Sequence, residues 1–147
     1  MARDAEALIN SDEELSRLFG GRPTQYRKSK FLPKYTGEAA RVCARINRIF
    51  FDDLDEAYRL FHELIPEAGE GVEFTPPFTV DYGIGLKIGR DTFINKDFMI
   101  YGGGYVTIGE NCLIGPRCTI ATPNHAKDAA TRLAGWECAS PVTIGSN

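Results

Sequence analysis

The fold is decided by the stretch IGRDTFINKDFMIYGGGYVTIGENCLIGPRCTI, residues 88–120, in which isoleucine recurs at a fixed spacing. The spacing is six residues within each of two groups, with a step of eight between the groups, and the positions are Ile88, Ile94, Ile100, Ile108, Ile114 and Ile120. A period of six fits neither an α-helix nor an alternating strand, but it is typical of a parallel β-helix. In that fold, three short strands form one triangular coil of about 18 residues.

Two further sets of residues keep the same period. Side chains that we expect to point inward follow four residues after the isoleucines, at Thr92, Phe98, Cys112 and Cys118. Glycine follows the isoleucine directly at Gly89, Gly109, Gly115 and, later in the sequence, Gly145. The aliphatic side chains would fill the interior corners, and the glycines would let the chain turn where a side chain would collide.

The period is interrupted between Ile120 and Ile144, which lie 24 residues apart where one repeat needs six. About 18 residues are therefore expected to leave the β-helix, in an excursion at about residues 121–141. The excursion carries His125, one of two histidines in the chain. Because a rigid repeat scaffold presents its chemistry on loops held at fixed positions, His125 is the candidate catalytic residue.

The sequence ahead of the repeats predicts helices. Residues 4–19 show an amphipathic pattern, and residues 38–65 show a longer one with a break near Phe51. Between them, residues 22–37 are basic and punctuated by proline and glycine, which favours a connection without helix. The second histidine, His62, lies on the later helix, and we interpret it as an ordinary surface or half-buried residue.

These patterns divide the chain into two regions. Residues 1–70 are expected to be helical, and residues 71–147 are expected to form the β-helix with its excursion. The predicted fold class is therefore mainly β, with an α-helical region ahead of the repeats.

Composition restricts the kinds of partner. The chain has 147 residues and a formal net charge of -3, which gives no electrostatic basis for binding nucleic acid or an anionic membrane surface. No apolar run approaches a membrane span, and the first residues lack a signal peptide's apolar core, so we expect a cytoplasmic protein. The four cysteines form no C-x-x-C pair, which favours free thiols.

The segments VDYGIGLKIGRDTFINKDFMI, VTIGENCLIGPRCTI, TPNH and PVTIGSN together resemble the hexapeptide-repeat sugar O-acetyltransferases. That family includes maltose, galactoside and nodulation-factor acetyltransferases, and the resemblance covers about residues 74–147. It implies a left-handed parallel β-helix and a homotrimer with sites between neighbouring subunits. It also implies acetyl transfer from acetyl-CoA to a hydroxyl of a sugar or similar small acceptor.

The resemblance assigns roles to four residues. His125 takes the place of the family's catalytic histidine, and Asn95 and Asp81 take the places of acceptor contacts. Glu137, twelve residues past the histidine, lies where the maltose enzymes also carry glutamate. No metal is expected, because a zinc hydratase on this fold needs three histidines and the repeats contain only His125.

The chemistry of the residues agrees with these roles. A sugar hydroxyl needs its proton removed as it attacks a thioester, and an imidazole that titrates near neutral pH can act as that general base. A carboxylate or a backbone carbonyl on the other ring nitrogen would fix the tautomer, and the sequence does not choose between the candidate carboxylates Glu137 and Asp128. No base is adjacent in sequence to Cys112 or Cys118, so we expect direct transfer without a covalent enzyme intermediate.

The sequence departs from the family at two places. An acidic acceptor contact of the galactoside enzymes falls here at Gly103. The segment VTIGSN also ends where the family continues into coils that carry an oxyanion donor and most of the coenzyme groove. We therefore expect a chain truncated at its C-terminus relative to the family, and stability that depends on helices and oligomer contacts. The alternative is a catalytically silent β-helix that serves as an assembly or binding module, or an inactive truncated fragment.

Overall fold

The computed structural model describes residues 4–147, in which paired helices lead into a stack of parallel strands. The first three residues of the predicted helical region 1–70 lie outside the described residues. The α-helices are α1 (Ala5–Ser11), α2 (Glu13–Phe19), α3 (Leu32–Ile49), α4 (Leu54–Leu64) and α5 (Ala129–Leu133). Short 3-10 turns lie at Tyr26–Lys28 and Gly83–Gly85.

The helix predicted over residues 4–19 is two helices because Asp12 caps the second one. The Asp12 carboxylate accepts hydrogen bonds from the backbone N–H groups of Glu14 and Leu15, at 2.9 and 3.0 Å. An N-cap residue leaves the helical conformation, so the chain bends there. The second helix ends at Phe19, and Gly20 is its C-cap.

The longer helical region is a hairpin of α3 and α4, with the break close to Phe51 that the sequence predicts. However, α3 begins at Leu32, so the expectation that residues 22–37 lack helix is wrong for the last part of that segment. The Ser29 hydroxyl accepts hydrogen bonds from the N–H groups of Phe31 and Leu32, and Pro33 lies in the first turn, where proline is tolerated.

Ten of the strands form three sheets in which every pairing is parallel. The first sheet contains β1 (Glu67–Ala68), β4 (Leu86–Ile88), β7 (Val106–Ile108) and β12 (Val142–Ile144). The second contains β2 (Glu73–Phe74), β5 (Phe93–Ile94) and β8 (Leu113–Ile114). The third contains β3 (Phe78–Val80), β6 (Phe98–Tyr101) and β9 (Thr119–Ala121). Since the chain visits the three sheets in turn, it forms a parallel β-helix whose first strand begins at Glu67.

Each coil takes 20 residues rather than the 18 that the hexads suggested. Phe78 pairs with Phe98, and Ile88 pairs with Ile108. The additional residues lie at the corner where the third sheet leads back to the first, within residues 101–105 of the YGGGY segment. We call this the long corner.

The interior is filled by the residues that the period selected. Five of the six repeat isoleucines are buried, and these are Ile88, Ile94, Ile100, Ile108 and Ile120. Thr92, Phe98 and Cys112 are also buried, whereas Cys118 is half-buried. At the Gly89 corner successive coils stack backbone against backbone, and a Cβ on Gly89 would overlap Gly109. The turn itself is made by the next residues, such as Asp91 at φ 55°.

The helices cover the first coil through one side chain in particular. Asn47 of α3 accepts a hydrogen bond from the N–H of Phe78 and donates one to its carbonyl, both at 2.9 Å. These are the two bonds that another strand would make with β3. The side chain therefore satisfies an edge that would otherwise expose unpaired backbone groups.

Candidate active site

The excursion leaves the β-helix at the long corner. After β9 the chain forms β10 (Pro123–His125), the helix α5 and β11 (Glu137–Ala139), and it returns in β12. Val106 pairs with Val142, a spacing of 36 residues, where other coils have 20. The excursion is therefore an enlargement of the corner that already holds additional residues in every coil.

Two antiparallel strands of the excursion present the histidine. His125 pairs with Glu137 across β10 and β11. On the other edge of β11, the backbone of Glu137 exchanges hydrogen bonds of 2.8 and 3.0 Å with Thr24, which is buried. The side chain of Gln25 donates to the carbonyl of Ala134 at 2.7 Å. The segment between α2 and α3 thus holds the excursion in place, a role that the sequence did not reveal.

Glu137 is the carboxylate that faces the imidazole. His125 Nδ1 lies 3.7 Å from Glu137 Oε2, a distance longer than a hydrogen bond. The other candidate, Asp128, accepts hydrogen bonds from the N–H and hydroxyl of Thr131 at 2.8 and 2.7 Å and caps α5. The backbone N–H of Thr131 has the larger effect and its hydroxyl the smaller one, and together these hydrogen bonds hold the pKa of Asp128 below its usual range.

The imidazole opens into an apolar cleft. This cleft has a volume of about 480 Å³, and its walls include Pro23, Ala126, Trp136 and Cys138. The His125 side chain is 61% exposed, so it is accessible from this side. The cleft can therefore hold a thin, mostly apolar group next to the ring.

A second cleft of about 400 Å³ lies on the other side of Glu137, whose side chain lines both. Asp81 and Tyr82 are among its walls, and the Asp81 carboxylate accepts a hydrogen bond from the N–H of Gly102 at 2.8 Å. The structure thus brings together three of the four residues that the sequence selected. The pair Asp81 and Glu137 lies along one cleft, and Glu137 connects it to His125.

Asn95 lies elsewhere. It occupies the corner between β5 and β6, where its N–H donates to the carbonyl of Ile114 and its side-chain oxygen accepts from the N–H of Lys96 at 2.8 Å. It is not among the residues that line either cleft. Within one chain, Asn95 and His125 therefore occupy different corners of the prism.

The absence of an acidic side chain at position 103 has a packing reason. Gly103 is buried at the long corner, and a Cβ there would overlap the side chain of Leu18 on α2. Leu18 is itself 3% exposed and lines the second cleft. The helix thus occupies the space that a side chain at position 103 would need.

Sequence reasoning missed Tyr82 and Trp136 as site residues. Tyr82 lines the second cleft and Trp136 the first. Tyr82 directly follows Asp81 in the VDYG segment, which is the one signal that could have drawn attention to it. Its position depends on contacts with the helices, which periodicity does not report.

The described chain offers no metal centre. Among residues 4–147, no three histidine, cysteine, aspartate or glutamate side chains lie close enough together to hold a metal ion. Within the same residues, no helix is both long and apolar enough to cross a membrane.

Hexads wound into three parallel sheets define the class of hexapeptide-repeat β-helix proteins. No family model matches the sequence. Nodulation protein L of Rhizobium meliloti (strain 1021) is 34% identical over 103 residues, which are 70% of this chain and 56% of that protein.

Solved structures extend the similarity to nearly the whole fold. A hexapeptide-repeat-containing acetyltransferase from Vibrio cholerae O1 biovar eltor, complexed with acetyl-CoA, matches with a TM-score of 0.75 and 30% identity over 92% of this chain and 76% of that chain. A galactoside acetyltransferase in complex with coenzyme A matches with a TM-score of 0.83 and 26% identity, over 92% and 68%. The chain belongs to the hexapeptide-repeat acetyltransferase family. It spans about half the length of the curated relatives it matches.

Proposed function

We propose that this protein transfers an acetyl group from acetyl-CoA to a hydroxyl of a sugar or similar small acceptor, with His125 as general base. The observation that carries the proposal is the placement of His125 against Glu137, where two clefts meet. Membership of the family supports acetyl transfer, and the similarity to a galactoside acetyltransferase supports a sugar acceptor.

The proposed step needs one base. As the acceptor oxygen attacks the thioester carbonyl, its proton passes to Nε2 of His125. The carbon–sulfur bond breaks, the thiolate of coenzyme A takes that proton from the imidazolium, and the acetyl group stays on the acceptor oxygen. General-base catalysis of this kind contributes about 10²- to 10⁴-fold. The Glu137 carboxylate near Nδ1 favours the tautomer with its proton on Nδ1 and stabilises the imidazolium.

The first cleft fits the thioester end of acetyl-CoA. Pro23, Trp136 and Cys138 supply apolar walls next to the imidazole, which suit an acetyl group and a thin arm. None of the residues that line this cleft is lysine or arginine. The phosphates of the coenzyme would therefore lie outside it, toward solvent or residues beyond this cleft.

A homotrimer with shared sites is part of the proposal. Asn95 supports it, because within one chain this residue lies at a different corner from His125 and lines neither cleft. Two large apolar side chains are available for such a contact: Leu133 on the excursion is 89% exposed, and Leu113 on β8 is 83% exposed. We place the excursion of one subunit against the coil of the next.

Light scattering tests this arrangement. The wild-type chain is expected to have three times its monomer mass of 16.3 kDa, and Leu133→Asp is expected to dissociate it. A monomeric wild type would contradict the shared site.

We also propose a left-handed winding, in common with the family, which a crystal structure would test. A cytoplasmic location is supported by the four free cysteines, because unpaired thiols persist in a reducing compartment. Fractionation of the producing cells would test the location.

The activity is tested by thiol release from acetyl-CoA in the presence of a panel of mono- and disaccharides. Acceptor-dependent release is expected from the wild type, with a loss of about 10²- to 10⁴-fold in His125→Ala. His62→Ala is the matched control, since His62 is exposed on α4, and full activity is expected. Release that survives in His125→Ala, or a wild type inactive with every sugar, would contradict the proposal.

A further inference from the structure

Tyr82 carries a polar atom that the fold leaves without a partner. The residue is 7% exposed, and its hydroxyl is the one buried side-chain nitrogen or oxygen within residues 4–147 that makes no hydrogen bond. Native proteins pair nearly all such groups, so an exception points to a partner outside the chain, a ligand or a water. The hydroxyl belongs to a residue that lines the second cleft.

The ring is fixed by its surroundings. It packs edge-on against Phe19 of α2, with ring centroids 5.8 Å apart at 87°. The next residue, Gly83, lies so close to the carbonyl of Leu64 that a Cβ there would overlap it. The phenol lies near the charges of Asp81 and Glu137, which both line the second cleft.

The cleft around Tyr82 has the composition of a polyol site. The carboxylates of Asp81 and Glu137 can only accept hydrogen bonds when ionised, and a phenol can donate one. Each hydroxyl of a sugar can donate and accept, so a sugar can satisfy all three groups. Tyr26 and Tyr101 add aromatic surface to the same walls, which suits the apolar face of a sugar ring.

We infer that Tyr82 is an acceptor-binding residue, whose hydroxyl donates a hydrogen bond to one hydroxyl of a polyhydroxylated acceptor while Asp81 and Glu137 bind others. The inference rests on the proposed function for the assignment of this ligand as the acetyl acceptor. Burial raises the pKa of the Tyr82 phenol, so it keeps its proton and remains a donor at neutral pH.

Tyr82→Phe tests the inference because it removes only the oxygen. Binding of methyl β-galactoside and of maltose to the full chain is measured by titration calorimetry, together with the thermal midpoint of unfolding without sugar. We expect the wild type to bind at least one of these sugars. We expect Tyr82→Phe to bind that sugar at least tenfold more weakly and to unfold at a midpoint no lower than that of the wild type. In the transfer assay we expect KM for the sugar to rise by at least the same factor, with KM for acetyl-CoA unchanged.

Tyr105→Phe is the matched control. Tyr105 also packs against Phe19, but it does not line the second cleft and is 40% exposed. Wild-type sugar binding is expected in this variant.

Three results would overturn the inference. The first is equal sugar binding by Tyr82→Phe and the wild type, and the second is no binding of either sugar by the wild type. The third is a lower midpoint of unfolding in Tyr82→Phe, which would show that a fixed water already satisfies the hydroxyl. Sugar binding that weakens in Tyr82→Phe without any acetyl transfer would instead support the site and reject the proposed function. Acetyl transfer by Tyr82→Phe with the wild-type KM for the sugar would support the proposed function and reject the site.

Discussion

His125 and Glu137 face each other from neighbouring antiparallel strands, and only the carboxylate of the pair is shielded from solvent. The Glu137 side chain is 17% exposed and the His125 side chain 61%. The backbone of Glu137 is also held by Thr24 on its far edge. The backbone that carries the carboxylate is therefore held in place, whereas the imidazole is open to substrate.

Replacing Glu137 by glutamine tests whether this carboxylate positions and charges the imidazole. We expect kcat to fall about tenfold or more, because an amide stabilises the imidazolium less than a carboxylate does. KM for the sugar should also rise, since Glu137 lines the second cleft as well as the first. Steady-state kinetics against both substrates measure this, with Asp128→Asn as the control that alters only the cap of α5. A wild-type kcat in Glu137→Gln would show that the 3.7 Å contact has no role in the reaction.

Asn47→Ala should destabilise the protein by about 2 kcal/mol, because it leaves the N–H and carbonyl of Phe78 without partners at the edge of β3. The free energy of unfolding in urea measures the effect. Arg48→Ala, one position along α3 and exposed, should stay within about 0.5 kcal/mol of wild type. Equal stability of both variants would mean that water replaces the side chain at this edge.

Gly103→Ala should lower stability by about 1–3 kcal/mol, because its Cβ overlaps Leu18. Leu18→Ala removes the obstacle, so the double variant should lose less than the sum of the single variants. Gly115→Ala is the matched control, since a Cβ there meets nothing within 4 Å. Additive losses in the cycle would show that Leu18 does not exclude a side chain at position 103.

Cys43 should resist alkylation in the folded protein. Burial raises the pKa of this thiol, so at pH 8 its thiolate fraction lies below that of an ordinary cysteine. Cys118 and Cys138 are half-buried and should react first. Mass spectrometry after brief iodoacetamide treatment, with a urea-unfolded control, measures the order, and early labelling of Cys43 would show that the α3–β3 contact opens readily.

The repeat was predictable because its cause is local. Each hexad places an aliphatic residue such as Ile94 inside the coil and a glycine such as Gly89 where coils touch, and both choices follow from one strand and one corner. The residues per coil were underestimated because the additional positions, within 101–105, carry no aliphatic residue to mark the period.

The site was less predictable because its contacts are distant in sequence. His125 and Glu137 were found through the resemblance, but Thr24 joins them by strand pairing across more than a hundred residues. Tyr82 escaped notice because its burial depends on Phe19. The split at Asp12 reflects capping by one side chain, which a periodic pattern over residues 4–19 does not distinguish from a polar surface position.

The three corners of the β-helix differ in the number of additional residues that they hold, and the long corner holds the most. The other two corners keep the same length from coil to coil, because Phe93 pairs with Leu113 and Ile100 pairs with Ile120. An insertion at either of these corners would shift the register of every later coil. The long corner already holds segments of different length, from residues 101–105 to the whole excursion, while Val142 still pairs with Val106. Loops of new sequence can therefore be grafted at the long corner without disturbing the stacked coils. This corner is the place to engineer specificity for a different acceptor.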